Sequence, residues 1–188
     1  PISGAHLNPA VSMVMALAGG LSWSDLALYG VAKVVGGCLG TLAAHGMFDL
    51  PLLQIAAKAR TGPAQWLAEF VATFGLLVTI LAVVRFRIEA IPYAVGLYIT
   101  AAYWFTASTS FANPAVTVAR AFTATFAGIT PSHVLPFILA QLGGSITNAD
   151  GTKVTMDDDK GIAAMTLVKK IYDADIAMIN KRLRDANV

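Results

Sequence analysis

Long apolar stretches alternate with short polar ones along the first three quarters of the chain. Three of these stretches, at about 25–48, 64–84 and 91–107, hold few charged residues. A helix of about 20 apolar residues is long enough to cross the hydrocarbon core of a bilayer. The pattern therefore predicts three membrane-spanning helices. A fourth apolar stretch, 132–142, ends at Gly143 after about half that length, and we expect it to be a spanning helix cut short.

Local sequence signals predict where two of these helices begin. Ser24 is expected to cap the first helix, because serine is a favoured N-cap residue. Gly62 followed by Pro63 is expected to open the second, because proline suits the first helical position.

Arginine and lysine residues flank the second of these helices on both sides. Arg85 and Arg87 directly follow it, which places that end in the cytoplasm by the positive-inside bias. Lys58 and Arg60 in the opposite loop act against this orientation.

Two shorter segments share a local sequence, Asn-Pro-Ala-Val-Ser at 8–12 and Asn-Pro-Ala-Val-Thr at 113–117. Asparagine is among the best N-caps, and proline at the first helical position loses no hydrogen bond. The first helix has about ten residues before Gly19 and Gly20 stop it, which reaches about halfway across the apolar core. Each motif therefore predicts a half-helix that begins at its asparagine.

The number of crossings between the two motifs sets their relative orientation. Three spans separate the motifs, and an odd number of crossings returns the chain to the opposite face, so the half-helices enter from opposite sides. Irregular backbone is tolerated at membrane depth only where protein buries it or where it lines a water-filled path. Two helix starts that meet near the midplane therefore indicate a pore or a substrate site. Inverted repeats also build secondary transporters, so this geometry leaves both a channel and a carrier open.

The composition supports a membrane protein and divides the chain. Of the 188 residues, 56% are hydrophobic and 13% are charged. Residues 1–145 hold six Lys or Arg and four Asp or Glu, whereas residues 146–188 hold seven of each. We therefore predict a channel-like domain at 1–145 and a charged tail at 146–188. The tail is expected to form one amphipathic helix at about 162–184, which packs on itself, on a partner or on the membrane. The alternative is that the whole tail is a foreign appendage.

Several classes of function are excluded by the charges and the reactive side chains. A net charge of +2 without a basic, aromatic-rich cluster argues against nucleic acid. The single cysteine, Cys38, cannot form a disulfide framework or a zinc site within the chain. The histidines, His6, His45 and His133, have no metal or triad spacing. We therefore predict no enzyme, no metal and no cofactor.

Three segments resemble the aquaporin and glycerol-channel (major intrinsic protein) superfamily. Residues 3–11, SGAHLNPAV, resemble loop B of aquaporins, and residues 111–116, FANPAV, resemble loop E. Residues 68–74, AEFVATF, resemble the start of the fourth helix. The likeness covers residues 1 to about 142. It implies an all-α membrane protein built as an inverted repeat with two re-entrant half-helices. We expect a truncated chain that lacks the first two helices and part of the last.

The resemblance also implies a function and an environment. The chain would be part of a passive channel for water and small neutral solutes, set in a lipid bilayer. The complete parent would be a homotetramer in a bacterial cytoplasmic (inner) membrane. A coupled secondary transporter and a nonconducting membrane anchor that presents the tail stay open as alternatives.

The paired motifs would form the centre of the pore, and six residues are implied: Asn8, Pro9, Ala10, Asn113, Pro114 and Ala115. Two helix N-termini bring partial positive charge to this point, and the asparagine amides can donate hydrogen bonds to a passing oxygen. Such a centre repels cations and orients neutral hydroxylic solutes. The alternative, that both asparagines are merely caps, explains one motif but not the pair.

A narrow selectivity filter is expected beside the second motif. The family normally has an arginine directly after this motif, where the present chain has Val116. Ser110 and Tyr103 are implied as further filter residues. Exchanging a guanidinium for an isopropyl group removes a charge and widens the constriction. The pattern resembles a bacterial subgroup associated with glycerol-like solutes or undissociated metalloid acids such as arsenite.

Three other residues are implied as supports of the half-helices. Glu69 would hold the loop of the second motif, with loop amides or Arg120 as its partners; a protonated Glu69 in a proton relay is the carrier alternative. Arg120 would tie down the second half-helix or replace the missing filter arginine. His6 would make a structural hydrogen bond, or act as a pH gate.

Overall fold

Six α-helices and three 3-10 turns form the part of the chain that the structure, a computed structural model, describes: residues 4–143. The α-helices are α1, Pro9–Leu17; α2, Trp23–Met47; α3, Pro63–Phe86; α4, Ile91–Phe105; α5, Pro114–Ala119; and α6, Val134–Gln141. The 3-10 turns are Ile88–Ala90, Arg120–Phe122 and Pro131–His133. No strand occurs between residues 4 and 143. The predicted tail at 146–188, with its helix at 162–184, lies outside the described residues.

Helices α2 and α3 are long and apolar enough to cross a membrane, with 25 and 24 residues. They correspond to the spans predicted at 25–48 and 64–84. The third predicted span, 91–107, is shorter than expected, because α4 has 15 residues and Thr106 continues as extended backbone with φ −104° and ψ 138°. Both half-helices are present as α1 and α5, with nine and six residues.

The cap of α2 differs from the prediction of Ser24. Ser22 is the N-cap, and its hydroxyl accepts a hydrogen bond from the Asp25 backbone N–H at 3.0 Å and donates to the Asp25 carboxylate at 2.7 Å. A serine hydroxyl can cap the backbone N–H three residues later, whereas Ser24 already lies inside the helix. The predicted start of α3 is confirmed, with Gly62 as N-cap and Pro63 as first residue.

The half-helix α5 is enclosed by α2 and α6, and α6 also packs on α3. Close approach between α2 and α5 depends on Gly37. A β-carbon at this position would lie 3.2 Å from the Ala119 β-carbon and 3.5 Å from the Ala115 carbonyl oxygen. A larger side chain at Gly37 would therefore push α5 away from α2.

Large apolar side chains remain exposed on the outer faces of the long helices. They include Leu28, Val31, Val35 and Leu39 of α2, Leu67, Val71 and Val78 of α3, and Tyr93, Leu97 and Trp104 of α4. In water such a surface would favour association, whereas hydrocarbon chains solvate it without cost. The exposed surface therefore suits a bilayer.

Candidate pore site

Asn8 begins the first half-helix and reaches across to the second. Its side-chain oxygen accepts a hydrogen bond from the Ala10 N–H at 2.9 Å, which caps α1. Its amide nitrogen donates to the Ala112 carbonyl at 2.6 Å. Asn8 is only 8% exposed, so both ends of its side chain are used inside the protein.

Asn113 repeats this arrangement from the other side. Its oxygen accepts hydrogen bonds from Ala115 N–H at 3.0 Å and Val116 N–H at 3.3 Å. Its amide nitrogen donates to the Leu7 carbonyl at 3.2 Å. Each asparagine thus bonds the carbonyl that directly precedes the other, and the two helix N-termini meet. A side-chain amide has two N–H donors, so each asparagine keeps one donor beyond this cross-link.

Glu69 holds the loop of the second motif from α3. The residue is fully buried, and its carboxylate accepts hydrogen bonds from Phe111 N–H at 2.8 Å and Ala112 N–H at 2.9 Å. These are the loop amides expected from the sequence, and none of its hydrogen bonds comes from Arg120. A third donor, the Gln141 side chain of α6, lies 2.6 Å away and also donates to the Thr117 hydroxyl at 2.8 Å.

The backbone before each half-helix is left-handed at several non-glycine residues. In the second loop φ is 62° at Thr109, 47° at Ser110 and 47° at Ala112, and in the first loop φ is 52° at Ala5. Such conformations cost about 1–3 kcal/mol each and persist only where the surroundings enforce them. The buried hydrogen bonds to Glu69 are one such constraint.

Of the predicted filter residues, Ser110 precedes α5, Val116 lies in its first turn, and Tyr103 contacts Arg120 at its end. Val116 is half-buried and lines a cavity with Asn113. Ser110 is 2% exposed, and its hydroxyl has no hydrogen-bond partner among the described residues. Tyr103 is 39% exposed, and its hydroxyl accepts a hydrogen bond from Arg120 at 2.5 Å. The Arg120 guanidinium also lies 4.2 Å from the Phe111 ring centroid, so it links α4, α5 and the loop between them.

His6 does not make the hydrogen bond expected of it within residues 4–143. Its Nδ1 is buried without a partner there, and its ring centroid lies 6.3 Å from that of Tyr29. The ring instead lines the same cavity as Val116, which has a volume of about 640 Å³.

The sequence patterns did not indicate that two cationic side chains, Lys33 and Arg60, lie near the site. Lys33 of α2 lines the cavity, donates to the Ser12 hydroxyl of α1, and lies 4.8 Å from the Tyr29 ring centroid. It is the one lysine inside the first predicted span, and a charge at membrane depth is a signal of function or pairing. In the sequence Arg60 indicated only a positive charge in the loop before α3. In the structure it is 5% exposed and donates a hydrogen bond to the loop before α5.

Comparison with known proteins agrees with this geometry. Residues 1–89 match the family model "Major intrinsic protein". The aquaglyceroporin AqpS of Rhizobium meliloti is 62% identical over 146 residues, which cover 78% of this chain and 63% of AqpS. The glycerol uptake facilitator protein of Bacillus subtilis is 31% identical over 115 residues, 53% of this chain and 42% of that protein. The probable aquaporin NIP7-1 of Arabidopsis thaliana is 34% identical over 73 residues, which cover 38% of this chain and 26% of that protein. No solved structure matches.

A helical membrane protein whose two half-helices meet at their N-terminal asparagines is the class that the fold and the site define. Over residues 1–89 the chain matches the major intrinsic protein family, the superfamily of aquaporins and glycerol channels. It is an integral membrane protein. The chain spans less than two thirds of the length of these curated relatives.

Proposed function

We propose that these residues form the pore of a passive channel for water and small neutral solutes, either glycerol-like molecules or undissociated metalloid acids. The proposal rests above all on the reciprocal hydrogen bonds of Asn8 and Asn113, which bring two helix N-termini to one point. The names of two relatives, an aquaglyceroporin and a glycerol uptake facilitator, support solutes larger than water.

The centre of the proposed pore rejects cations and guides hydroxyl groups. Two helix N-termini contribute about half an elementary charge each, so a cation meets a positive potential without the water that solvated it. The remaining N–H of each asparagine donates to the oxygen of a passing solute. The passage of a solute requires no titratable group to change its protonation state. This is expected of a passive channel that catalyses no reaction.

Val116 sets the width of the proposed filter. A valine at this position has neither the charge nor the five donors of an arginine. Ser110 lies in the loop before α5 and has a buried hydroxyl without a hydrogen-bond partner among the described residues. Arg120 and Tyr103, joined by their hydrogen bond, form a polar rim at the other end of α5. Such a filter admits polyols or metalloid acids, which a pore only wide enough for a single file of water molecules would exclude.

The family resemblance suggests the native setting of the channel. We propose a homotetramer in a bacterial inner membrane, supported by the 62% identity to a protein of Rhizobium meliloti. Residues 146–188 would then form a separate charged tail.

Osmotic swelling of proteoliposomes that carry the protein tests the function. Rapid swelling in glycerol or arsenous acid, independent of ions and of a proton gradient, is the expected result. Dependence on a proton gradient would indicate a coupled transporter instead. Absence of any flux above that of empty vesicles would contradict the channel and favour a membrane anchor.

A further inference from the structure

Arg60 lies in the loop between α2 and α3, outside the spanning helices, yet it is almost completely buried. The proposed passage of solutes uses no part of it. Arginine is almost never fully buried unless its charge is compensated, so its surroundings need an explanation.

The Arg60 guanidinium is surrounded by hydrogen-bond acceptors from two other loops. It donates to three backbone carbonyls and one hydroxyl: Gly128 O at 2.9 Å, Ser108 O at 2.8 Å, Phe126 O at 3.0 Å and Thr109 Oγ1 at 3.3 Å. Its central carbon also lies 4.8 Å from the Phe111 ring centroid. These hydrogen-bond partners are all neutral, and the Glu69 carboxylate acts on Arg60 only through its electrostatic field.

The loop that presents Arg60 is itself tied to the segment after α5. Ala56 N–H donates to the Ala121 carbonyl at 2.9 Å, and Thr130 N–H donates to the Lys58 carbonyl at 2.9 Å. The Arg60 backbone N–H donates to Nδ1 of His133 at 3.2 Å. The guanidinium therefore projects from a backbone that is anchored to the segment after α5, and this anchoring does not involve the loop before α5.

Arg60 and Glu69 hold opposite ends of the same strained segment. Arg60 bonds the carbonyl of Ser108 and the side chain of Thr109, and Glu69 bonds the N–H groups of Phe111 and Ala112. The residue between these anchor points is Ser110, whose φ is 47°. The filter hydroxyl thus lies on a segment fixed from both sides.

The same guanidinium lies close to the Arg120 rim. The Phe111 ring contacts both, at 4.8 Å from Arg60 and 4.2 Å from Arg120. Burial, and after it the charge of Arg120, lower the pKa of Arg60, yet an arginine remains protonated in proteins. Two fixed positive charges therefore flank Phe111.

We propose that Arg60 is a positioning residue of the pore: it fixes the 108–111 segment before α5 and so sets the width and the polarity of the filter. This inference rests on the proposed channel function. It requires the planar fork of a guanidinium, because three different nitrogens of Arg60 bond three carbonyls, whereas the three donors of a lysine ammonium lie on one nitrogen and cannot span the same acceptors.

Two variants and one control test the proposal in the full chain. Arg60→Lys keeps the charge and loses the fork, and Arg60→Gln loses both. Lys58→Gln is the control, since Lys58 is an exposed cation of the same loop whose side chain contacts Phe126 but nothing in 106–113. Proteoliposome swelling gives the ratio of glycerol to water permeability, which reports filter width and not the amount of folded protein.

Hydrogen exchange of the detergent-solubilised protein gives a readout that does not depend on conduction. The loss of hydrogen bonds to a charged group should speed amide exchange in 106–113 by about tenfold or more, with α4 unchanged. We expect both Arg60 variants to show faster amide exchange in 106–113 and an altered ratio of glycerol to water permeability. Lys58→Gln should match the wild type in both measurements.

Three outcomes would overturn the inference. The first is that Arg60→Lys keeps the wild-type ratio and exchange. The second is that exchange rises throughout the protein while both permeabilities fall equally, which would mean general destabilisation. The third is that Lys58→Gln has an equal effect. A wild type that does not conduct would contradict the channel function, and the exchange data would still decide whether Arg60 fixes the segment.

Discussion

The two half-helix starts have nearly the same backbone and different supports. Both begin at an asparagine that caps its own helix and bonds the other loop. The preceding residues are left-handed in both, at Gly4 and Ala5 in the first loop and at Thr109 and Ser110 in the second. The shared motif therefore specifies the start of the helix in two different surroundings.

The supports differ one residue before each asparagine. In the second loop Ala112 N–H donates to the buried Glu69 carboxylate and φ is 47°. In the first loop Leu7 N–H donates to the Ala5 carbonyl of its own loop at 2.8 Å. A buried carboxylate thus accepts the N–H before the second asparagine, whereas the N–H before the first asparagine donates within its own loop.

A second difference concerns the residue four positions after each asparagine. The Thr117 hydroxyl accepts from the Gln141 amide, and the Ser12 hydroxyl accepts from the Lys33 ammonium. The same structural position is thus served by a neutral donor in one half and by a cation in the other. The two asparagines thus make the meeting point of the half-helices symmetric, while the side chains behind them differ.

The largest effect is expected for Glu69→Ala. It leaves the buried backbone N–H groups of Phe111 and Ala112 without their acceptor and removes one of the two hydrogen bonds of the Gln141 amide, which costs about 3 kcal/mol or more in unfolding free energy. The thermal unfolding midpoint in detergent measures this loss. Glu89→Ala, an exposed carboxylate in a 3-10 turn, is the control. A midpoint equal to that of the wild type would mean that Glu69 does not hold the second loop.

An intermediate effect is expected for Asn8→Ala and Asn113→Ala. Each change removes an N-cap, which costs about 1 kcal/mol, together with one bond between the loops. We expect the double variant to lose less stability than the sum of the two singles, because the two side chains share one contact region. Additive losses in unfolding free energy would contradict a coupled pair.

The smallest effect is expected for Lys33→Gln, which makes the first half resemble the second. An amide can still donate to Ser12, so the unfolding free energy should change by less than about 1 kcal/mol. Lys33→Met removes the donor and should cost more, because the Ser12 hydroxyl is fully buried. Equal losses in the two variants would show that the hydrogen bond to Ser12 contributes nothing.

Local signals in the sequence predicted the starts of α1, α3 and α5, but they did not indicate the long-range contacts. Asparagine before proline, and Gly62 before Pro63, determine the helix start through neighbouring residues alone. Gln141 is polar at the end of an apolar helix, but its bond to Glu69 depends on how α6 packs on α3. Arg60 lies 48 residues from Ser108 in sequence, and no pattern along the chain indicates that pairing.

We propose that Val116 makes the pore wide enough for solutes larger than water. In proteoliposomes, Val116→Arg narrows the constriction and adds a fixed charge, so glycerol permeability should fall much more than water permeability. Val116→Leu changes size without charge and separates the two effects. If Arg120 already forms the filter, Val116→Arg will change little and Arg120→Ala will raise glycerol flux. Equal glycerol permeability in the wild type and in Val116→Arg would contradict the account.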